Sequence, residues 1–456
     1  MHQSILKALV EIAGEGNVSQ SEADREQHSR DQSAHAAHLP EVVVWPGSTE
    51  EVSRILQLAY EYKIPVTGWG AGSSLEGNPI PVHGGIVLDF RRMNRILAVH
   101  EADFQVTVEA GVLYKDMNRY LSRFGLFFAP DPGANASIGG MIANNAAGIR
   151  TVKYGATRDN VLALTVVLAN GRILRTGSRS VKQSSGYDLT HLFTGSEGTL
   201  GLITEATLKL APIPTHISAA TAVFPTVQKA AKAVFHLIGS GLQPSALELL
   251  DKSSIRILNT STDLNLPEAP TLLMEFNSAT TESLRTELAL VEEICQGFEC
   301  SNFQSGLGMK ARNQLWTARH HLFEAMVRYF PGCTWLVTDV AVPISQYPEL
   351  VAFAAELLPK LNLDGGLVGH AGDGNLHVTV FYPPDDQTAV TNAAYLNEQL
   401  VNKAIALDGT STGEHGVGLG KKQFMVQEHG ETAVTLMRQI KHLLDPHNIL
   451  NPGKIF

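Results

Sequence analysis

A chain of 456 residues, 44% hydrophobic and 18% charged, has material for roughly two to four domains at about 100–200 residues each, and it is not disordered. Its 45 acidic residues outweigh 35 basic ones for a net charge of −10, and no basic cluster interrupts it, which sets nucleic-acid binding aside. Cys295, Cys300 and Cys333 are odd in number and form no Cys-x-x-Cys, so a reducing cytoplasm is expected rather than a disulfide framework.

The opening MHQSILKALVEIAGEG predicts a short amphipathic helix. Glu11 and Glu15 within it, and the lack of a basic stretch before an apolar run, argue against a secretory signal or a mitochondrial presequence. No run reaches the 18 or so apolar residues of a membrane span, which leaves a peripheral membrane contact open. SEADREQHSRDQSAHAAHLP is expected to be an irregular approach to the first domain. EVVVWPG then predicts a strand and turn, and STEEVSRILQLAYEY a helix with Ser48 and Glu51 as a capping box and Val52, Ile55, Leu56 and Ala59 on one face. KIPVTGWG and GGIVLDF are strands, and RILAVHEADFQVTVEAG a hairpin in which Phe104, Val106 and Val108 alternate. LYKDMNRYLSRFG is a helix closed by Gly125. NVLALTVVLANGRILRTG is a hairpin turning on Asn170-Gly171.

A proline-rich stretch near 211–214 marks a domain boundary. Beyond it strand-like runs (HISAATAVF, PTLLMEFN, CTWLVTDVAVP, LHVTVFY) alternate with helical ones, predicting a sheet covered by helices, and the C-terminal part is helical. Strands that are often adjacent rather than strictly alternating with helices give the class as α+β.

Three segments are rich in glycine: PVTGWGAGSSLEGN, PDPGANASIGGMIANNAAG and YGATRDNV…LFTGSEGTLGLIT. The first does not fit a dinucleotide fingerprint. From Gly68 or Gly70 the third glycine of G-x-G-x-x-G falls on Ser73 or Leu75, and Pro79 and Pro81 interrupt any following helix. Three such segments suit backbone N–H groups closing on a phosphate-bearing ligand, with three tight structural turns as the plainer reading.

These segments, in this order, resemble the FAD-binding (PCMH-type) domain of the vanillyl-alcohol oxidase flavoproteins. The resemblance implies that Gly70, Ala71, Gly72, Ser73 and Ser74 hold the pyrophosphate with Asn78 close by. Pro132, Gly133, Ser137, Gly139, Gly140 and Asn144 would line the flavin side, and Glu197, Gly198 and Ile203 the rest of the dinucleotide. Gly148 and Asn451 complete the implied cofactor-binding set. The first loop has no histidine, so non-covalent FAD is implied.

GHAGDGNLH raises a separate question. A turn centred on Asp373-Gly374 places His370 opposite His377, where facing Cβ atoms are about 4.5–5.5 Å apart. Such a pair can hold a metal ion, stack or be solvated. GTSTGEHGVGLGKK puts Glu414 and His415 between glycines on a loop, and two histidines with one carboxylate would leave positions open on a catalytic metal. Together the two elements resemble the signature pair of the FAD-linked D-2-hydroxyacid dehydrogenases, the D-lactate dehydrogenases above all, from about residue 35 to Lys454.

The resemblance implies a divalent metal, zinc or manganese, on His370, His377 and Glu414, with His415 as base and Asn375 as a polar contact. Arg319 of WTARHH corresponds to the family's substrate-carboxylate arginine, whose guanidinium grips a carboxylate bidentately. The implied organisation is an N-terminal segment 1–35, the FAD domain 36–214, a substrate-binding cap domain 215–410, and a C-terminal segment 411–456. The implied partners are a small 2-hydroxy acid and an electron acceptor such as a quinone or cytochrome, and a homodimer is left open.

Hydroxyglutarate-type relatives carry a lysine where this chain has Val337, and glycolate subunits an arginine after the proline of D-x-x-x-P, where Ile344 follows Pro343. A short D-2-hydroxy acid, lactate first, is therefore expected, with glycolate or D-2-hydroxyglutarate as alternatives. A flavin-free metal-dependent hydrolase and a non-catalytic flavin scaffold are more distant ones.

Overall fold

The computed structural model describes residues 1–456, apart from the side chains of Ala311 and Gln314. Short aliphatic runs set its first sheet. Val42–Val44 and Val66–Trp69 both pair in parallel with Ile86–Asp89 between them, and the helix Thr49–Tyr62 makes the crossover. Continuous apolar strands are what a sheet buried on both faces requires. Val42, Val44, Ile86 and Leu88 pack with Val52, Ile55, Leu56 and Ala59 of that helix and with Ile5 and Leu9 of the first helix, Gln3–Ala13. The Ser48 hydroxyl accepts from Glu51 N–H as expected of a cap, while the Glu51 carboxylate reaches one residue further back, to Gly47 N–H.

A five-stranded antiparallel sheet follows, in the order Ile96–His100, Gln105–Glu109, Leu202–Lys209, Val161–Val167, Ile173–Gly177. The Asn170-Gly171 hairpin joins the last two, with Gly171 at φ +80°. Phe104 departs from the expected alternation. It sits in the turn at φ +54° and is exposed, while Val106 and Val108 point into the core.

By internal contacts the chain forms two compact units. One comprises Met1–Ala147, Gly155–Ile213 and Glu414–Phe456, and the other Gly148–Tyr154 with Pro214–Gly413. The second unit is built on an eight-stranded antiparallel sheet whose centre runs His216–Val223, Thr271–Ser278, Ala246–Leu250, Asp364–His370, Asn375–Tyr382. The helical run expected around WTARHH is two helices, Met309–His320 and Leu322–Tyr329, broken at His321. Leu315, Trp316, Leu322 and Met326 pack there with Leu250, Leu273 and Val368 of the sheet. The architecture is α+β in both units. Among the described residues no helix is long and apolar enough to cross a membrane.

The N-terminal segment is more ordered than its polar composition suggests. Glu22–Gln27 is helical, and the His28 that ends it is fully buried. His28 Nδ1 lies 2.6 Å from the Asp24 carbonyl and Nε2 2.9 Å from Asp89, which also accepts from Trp45 Nε1 and Arg91 Nε. Burial pushes the Asp89 carboxyl up, but the bonds from His28 and Arg91 outweigh it and hold its pKa below the usual value. A carboxylate whose folded pKa is depressed stabilises the fold above its unfolded pKa, and that contribution is lost as pH falls through the folded value. Asp89→Asn should therefore cost about 3–5 kcal/mol at neutral pH, as for one partner removed from a buried pair. The difference in melting temperature between wild type and variant should shrink on acidification below about pH 4, and a constant difference from pH 7 to 3 would contradict this account.

Candidate active site

In the first unit a cleft opens beside the end of Val66–Trp69. The loop after that strand turns sharply because Gly72 takes φ +68°, where a Cβ would lie 2.7 Å from the Trp69 ring. A second wall is the helix Ile138–Asn144, capped by Ser137, whose hydroxyl accepts from Gly140 N–H. The glycines let these walls close: a Cβ on Gly70 would stand 2.3 Å from Ser137 Oγ, and one on Gly139 2.7 Å from Ala110 Cβ. The second glycine-rich segment thus contains a helix.

Gly70, Ala71, Gly72, Ser73, Ser74 and Asn78 line this cleft, as do Pro132, Ser137, Gly139, Gly140 and Asn144, then Glu197, Gly198, Ile203 and Asn451. Gly133 does not line it, and Gly148 belongs to the other unit. Glu414 and His415 do line it, and His415 O accepts from Asn144 Nδ2. The cleft encloses about 1190 Å³ including its open mouth, and neither lysine nor arginine is in its lining. The charge of a phosphate there would be met by backbone N–H groups and serine hydroxyls, which glycine-rich turns present at close range. Asn78 Oδ1 is a buried acceptor with no hydrogen-bond partner, which a donor on a bound group would satisfy.

Glu197 ties this wall together. Its carboxylate accepts from Asn78 Nδ2 at 2.7 Å, Val417 N–H at 2.7 Å and Gly418 N–H at 3.0 Å. Burial still pushes its pKa up, against the opposing pull of those donors and of Lys454. Asn451 Nδ2 bridges the carbonyls of Asn78 and Glu197. Gly418, at φ +47°, packs so closely that a Cβ would stand 2.1 Å from the Glu76 carbonyl oxygen. The Glu414-His415 loop is therefore pinned to the glycine loop through the residues that follow it, Val417 and Gly418.

In the second unit, His370 and His377 come together by a register other than the expected one. Val368, not His370, is opposite His377, because the turn is a helical turn over Ala371–Asp373 closed by Gly374 at φ +73°. An offset of two residues keeps both histidines on the same sheet face, since side chains alternate with period two. Their ring centroids are 5.2 Å apart. His377 Nδ1 is 3.1 Å from the Thr338 carbonyl, and His370 Nδ1 2.6 Å from Glu248 Oε1. Neither acceptor can donate, so each ring carries a proton on Nδ1, and its neutral form has the lone pair on Nε2, as in metal-binding imidazoles.

Arg319 donates through Nε and Nη2 to Glu248 Oε2, at 2.8 and 2.6 Å. Glu248 is fully buried, and although burial raises its pKa, His370 and Arg319 prevail and lower it. Asn375 donates to Asp339 Oδ1 at 2.8 Å and to the Val340 carbonyl at 3.0 Å, while its own Oδ1 is buried without a partner. Asp339 also accepts from Thr412 at 2.7 Å. Nothing adjacent to Glu248 in sequence points to this role. Asp339 carried a signal in D-x-x-x-P, which served only as a landmark for substrate size.

This geometry can be set beside known proteins. Residues 213–455 match the family of FAD linked oxidases, C-terminal domain, and residues 40–177 the FAD binding domain family. The chain belongs to the FAD-linked oxidases. It is 40% identical to a probable mitochondrial D-lactate dehydrogenase of Danio rerio, over 99% of this chain and 92% of the relative. It is 42% identical to the mitochondrial D-lactate dehydrogenase [cytochrome] of Arabidopsis thaliana, over 97% and 78%. It is also 35% identical to glycolate oxidase subunit GlcD of Bacillus subtilis, over 100% and 97%. Among solved structures, 4-ethylphenol oxidase from Gulosibacter chungangensis shares the fold, with a TM-score of 0.79 at 18% identity over 99% and 96% of the two chains. This FAD-linked oxidase is thus a flavin-dependent oxidoreductase, and the cleft of its first unit suits FAD in its backbone donors and its orphaned acceptor.

Glu197→Ala strands the Val417 and Gly418 N–H groups at about 1–3 kcal/mol each if they stay buried. The expected outcome is weaker FAD retention with little change in the second unit, read by flavin fluorescence on dilution and by proteolysis. FAD retention equal to wild type would show that the loop is held by other means.

Proposed function

We propose that this chain oxidises short D-2-hydroxy acids, D-lactate first among them, to 2-oxo acids, and passes the electrons to a quinone, cytochrome or similar carrier. The observation that supports the reading is the pair of imidazoles, His370 and His377, each with Nδ1 on an acceptor, where His370 shares the Glu248 carboxylate with Arg319. In this reading His370, His377 and Glu414 hold a zinc or manganese ion. Glu414 follows Gly413 by one peptide bond, and Gly413 packs against Asn375 so tightly that a Cβ would meet its Nδ2 at 2.3 Å. The chemistry supplied there would be polarisation of the substrate hydroxyl by the cation and a two-electron acceptor, FAD, for the hydride of Cα.

The chain's own residues do the rest. Arg319 receives the substrate carboxylate on its remaining guanidinium edge and fixes which face of Cα is presented. His415, on the wall of the flavin cleft, takes the hydroxyl proton as general base. Asn375 offers its unpartnered Oδ1 to a donor. The cofactor stays non-covalent, since the loop Gly70–Asn78 has no histidine. Val337 and Ile344 supply no positive charge for a second carboxylate, which favours a monocarboxylate. The acidic, cysteine-poor sequence is placed in the cytoplasm or against a membrane surface, whereas the names of two relatives say mitochondrial.

Under anaerobic conditions D-lactate should bleach the flavin faster than L-lactate, glycolate or D-2-hydroxyglutarate. Bleaching by hydroxyglutarate and not by D-lactate would overturn the substrate. His415→Ala should keep its FAD and slow flavin reduction by about 10²–10⁴-fold, and reduction at the wild-type rate would place the base elsewhere. Chelation should abolish activity, and full turnover by rigorously metal-free enzyme would remove the metal from the reading.

A further inference from the structure

Glu248 lies on the central strand Ala246–Leu250 of the second unit's sheet, directly opposite His370 in the ladder. It has no exposed surface, yet it carries a full carboxylate with divided duties. Oε1 accepts from His370 Nδ1 at 2.6 Å, and Oε2 from Arg319 Nε at 2.8 Å and Nη2 at 2.6 Å. Burying an anion is costly unless donors surround it, and here the donors are two groups to which the reading above gives work.

We propose that Glu248 is a positioning residue that locks the tautomer of His370 and the plane of Arg319 at once, joining the metal side of the site to the substrate-carboxylate side. The inference rests on the function proposed above. A carboxylate can only accept, so the proton of His370 must sit on Nδ1, and the Nε2 lone pair is the one a cation meets. The same carboxylate grips the guanidinium side-on through Nε and Nη2, which sets its plane and leaves Nη1 for a ligand. Each group is thereby oriented before anything binds.

The isosteric change Glu248→Gln separates this role from plain packing. An amide has one accepting and one donating end, while both partners of Glu248 offer N–H donors, so one contact must fail. A guanidinium has no acceptor in any state, whereas an imidazole becomes one by shifting its proton. Arg319 therefore keeps the oxygen, and His370 turns to the Nε2–H form, with its lone pair toward the amide and away from the cation.

The test uses the flavin-loaded, metal-stripped protein labelled with ¹⁵N-histidine, with the His370 ring assigned by its loss in His370→Asn. Wild type should show the Nδ1–H tautomer and Glu248→Gln the Nε2–H tautomer. Uptake of Mn²⁺ alone, followed by calorimetry, should weaken by about 10–100-fold in Glu248→Gln, as for other lost partners of metal-ligating histidines. The KM for D-lactate should rise less than in Arg319→Lys, because the arginine keeps its oxygen.

An unchanged tautomer or an unchanged Mn²⁺ affinity in the variant overturns the proposal. Wild type that takes up no Mn²⁺ sinks the metal part of the proposed function instead, and the tautomer measurement still decides the role of Glu248. If Glu248→Gln does not accumulate as folded flavoprotein, the wild-type spectrum decides alone: His370 found as Nε2–H overturns the proposal and Nδ1–H supports it.

Discussion

A buried carboxylate must be surrounded by hydrogen-bond donors, and most of what is specific in this molecule follows from meeting that demand. Glu197, Glu248, Asp339 and Asp89 are all buried, and each is met by donors from distant parts of the chain. Removing a buried group's partners costs more than making the bonds gains, so the arrangement tolerates little drift. The consequence is directional. Around Glu248 and Asp339 the donors include the side chains to which the chemistry is assigned, His370, Arg319 and Asn375, and around Glu197 they include the backbone of the loop that follows Glu414-His415.

The glycines serve the same end from the opposite side. The loop backbone here approaches its neighbours to distances that no side chain would allow, as at Gly418 against the Glu76 backbone and Gly413 against the Asn375 amide. Histidine and glutamate in GTSTGEHGVGLGKK thus lie on a closely packed loop, and no regular element contains them. Such a loop has its hydrogen bonds supplied by fixed neighbours, Glu197 and the Glu76 carbonyl among them.

Much of this could be read in the sequence, and the misses have physical causes. Period and turn chemistry were enough for the helix Thr49–Tyr62 and the Asn170-Gly171 hairpin, because both signals are local. The His370–His377 turn was harder. A glycine-rich turn can tighten into a helical one, and counting outward from Asp373-Gly374 then misplaces the register by two. Parity rescued the functional point, since an even slip leaves both rings on one face. Phe104 falls outside the expected alternation because a left-handed turn breaks the strand's periodicity there. Glu248 was invisible for a different reason. A glutamate between leucines on a strand looks like any other until the partners that neutralise it arrive from residues 319 and 370.

The C-terminal residues carry a consequence in time. Val66–Trp69 is an outer strand of the first sheet, and the last residues of the chain dock on it. Leu450 bridges to Val66, Val66 N–H donates to Ile449 O, and Asn451 N–H donates to Val66 O. Asn451 then braces the cleft wall through Asn78 and Glu197. During synthesis at about 5–20 residues per second, the strand waits some tens of seconds for that cover. The wall formed by Asn78 therefore lacks this brace until the chain has grown 373 residues beyond it.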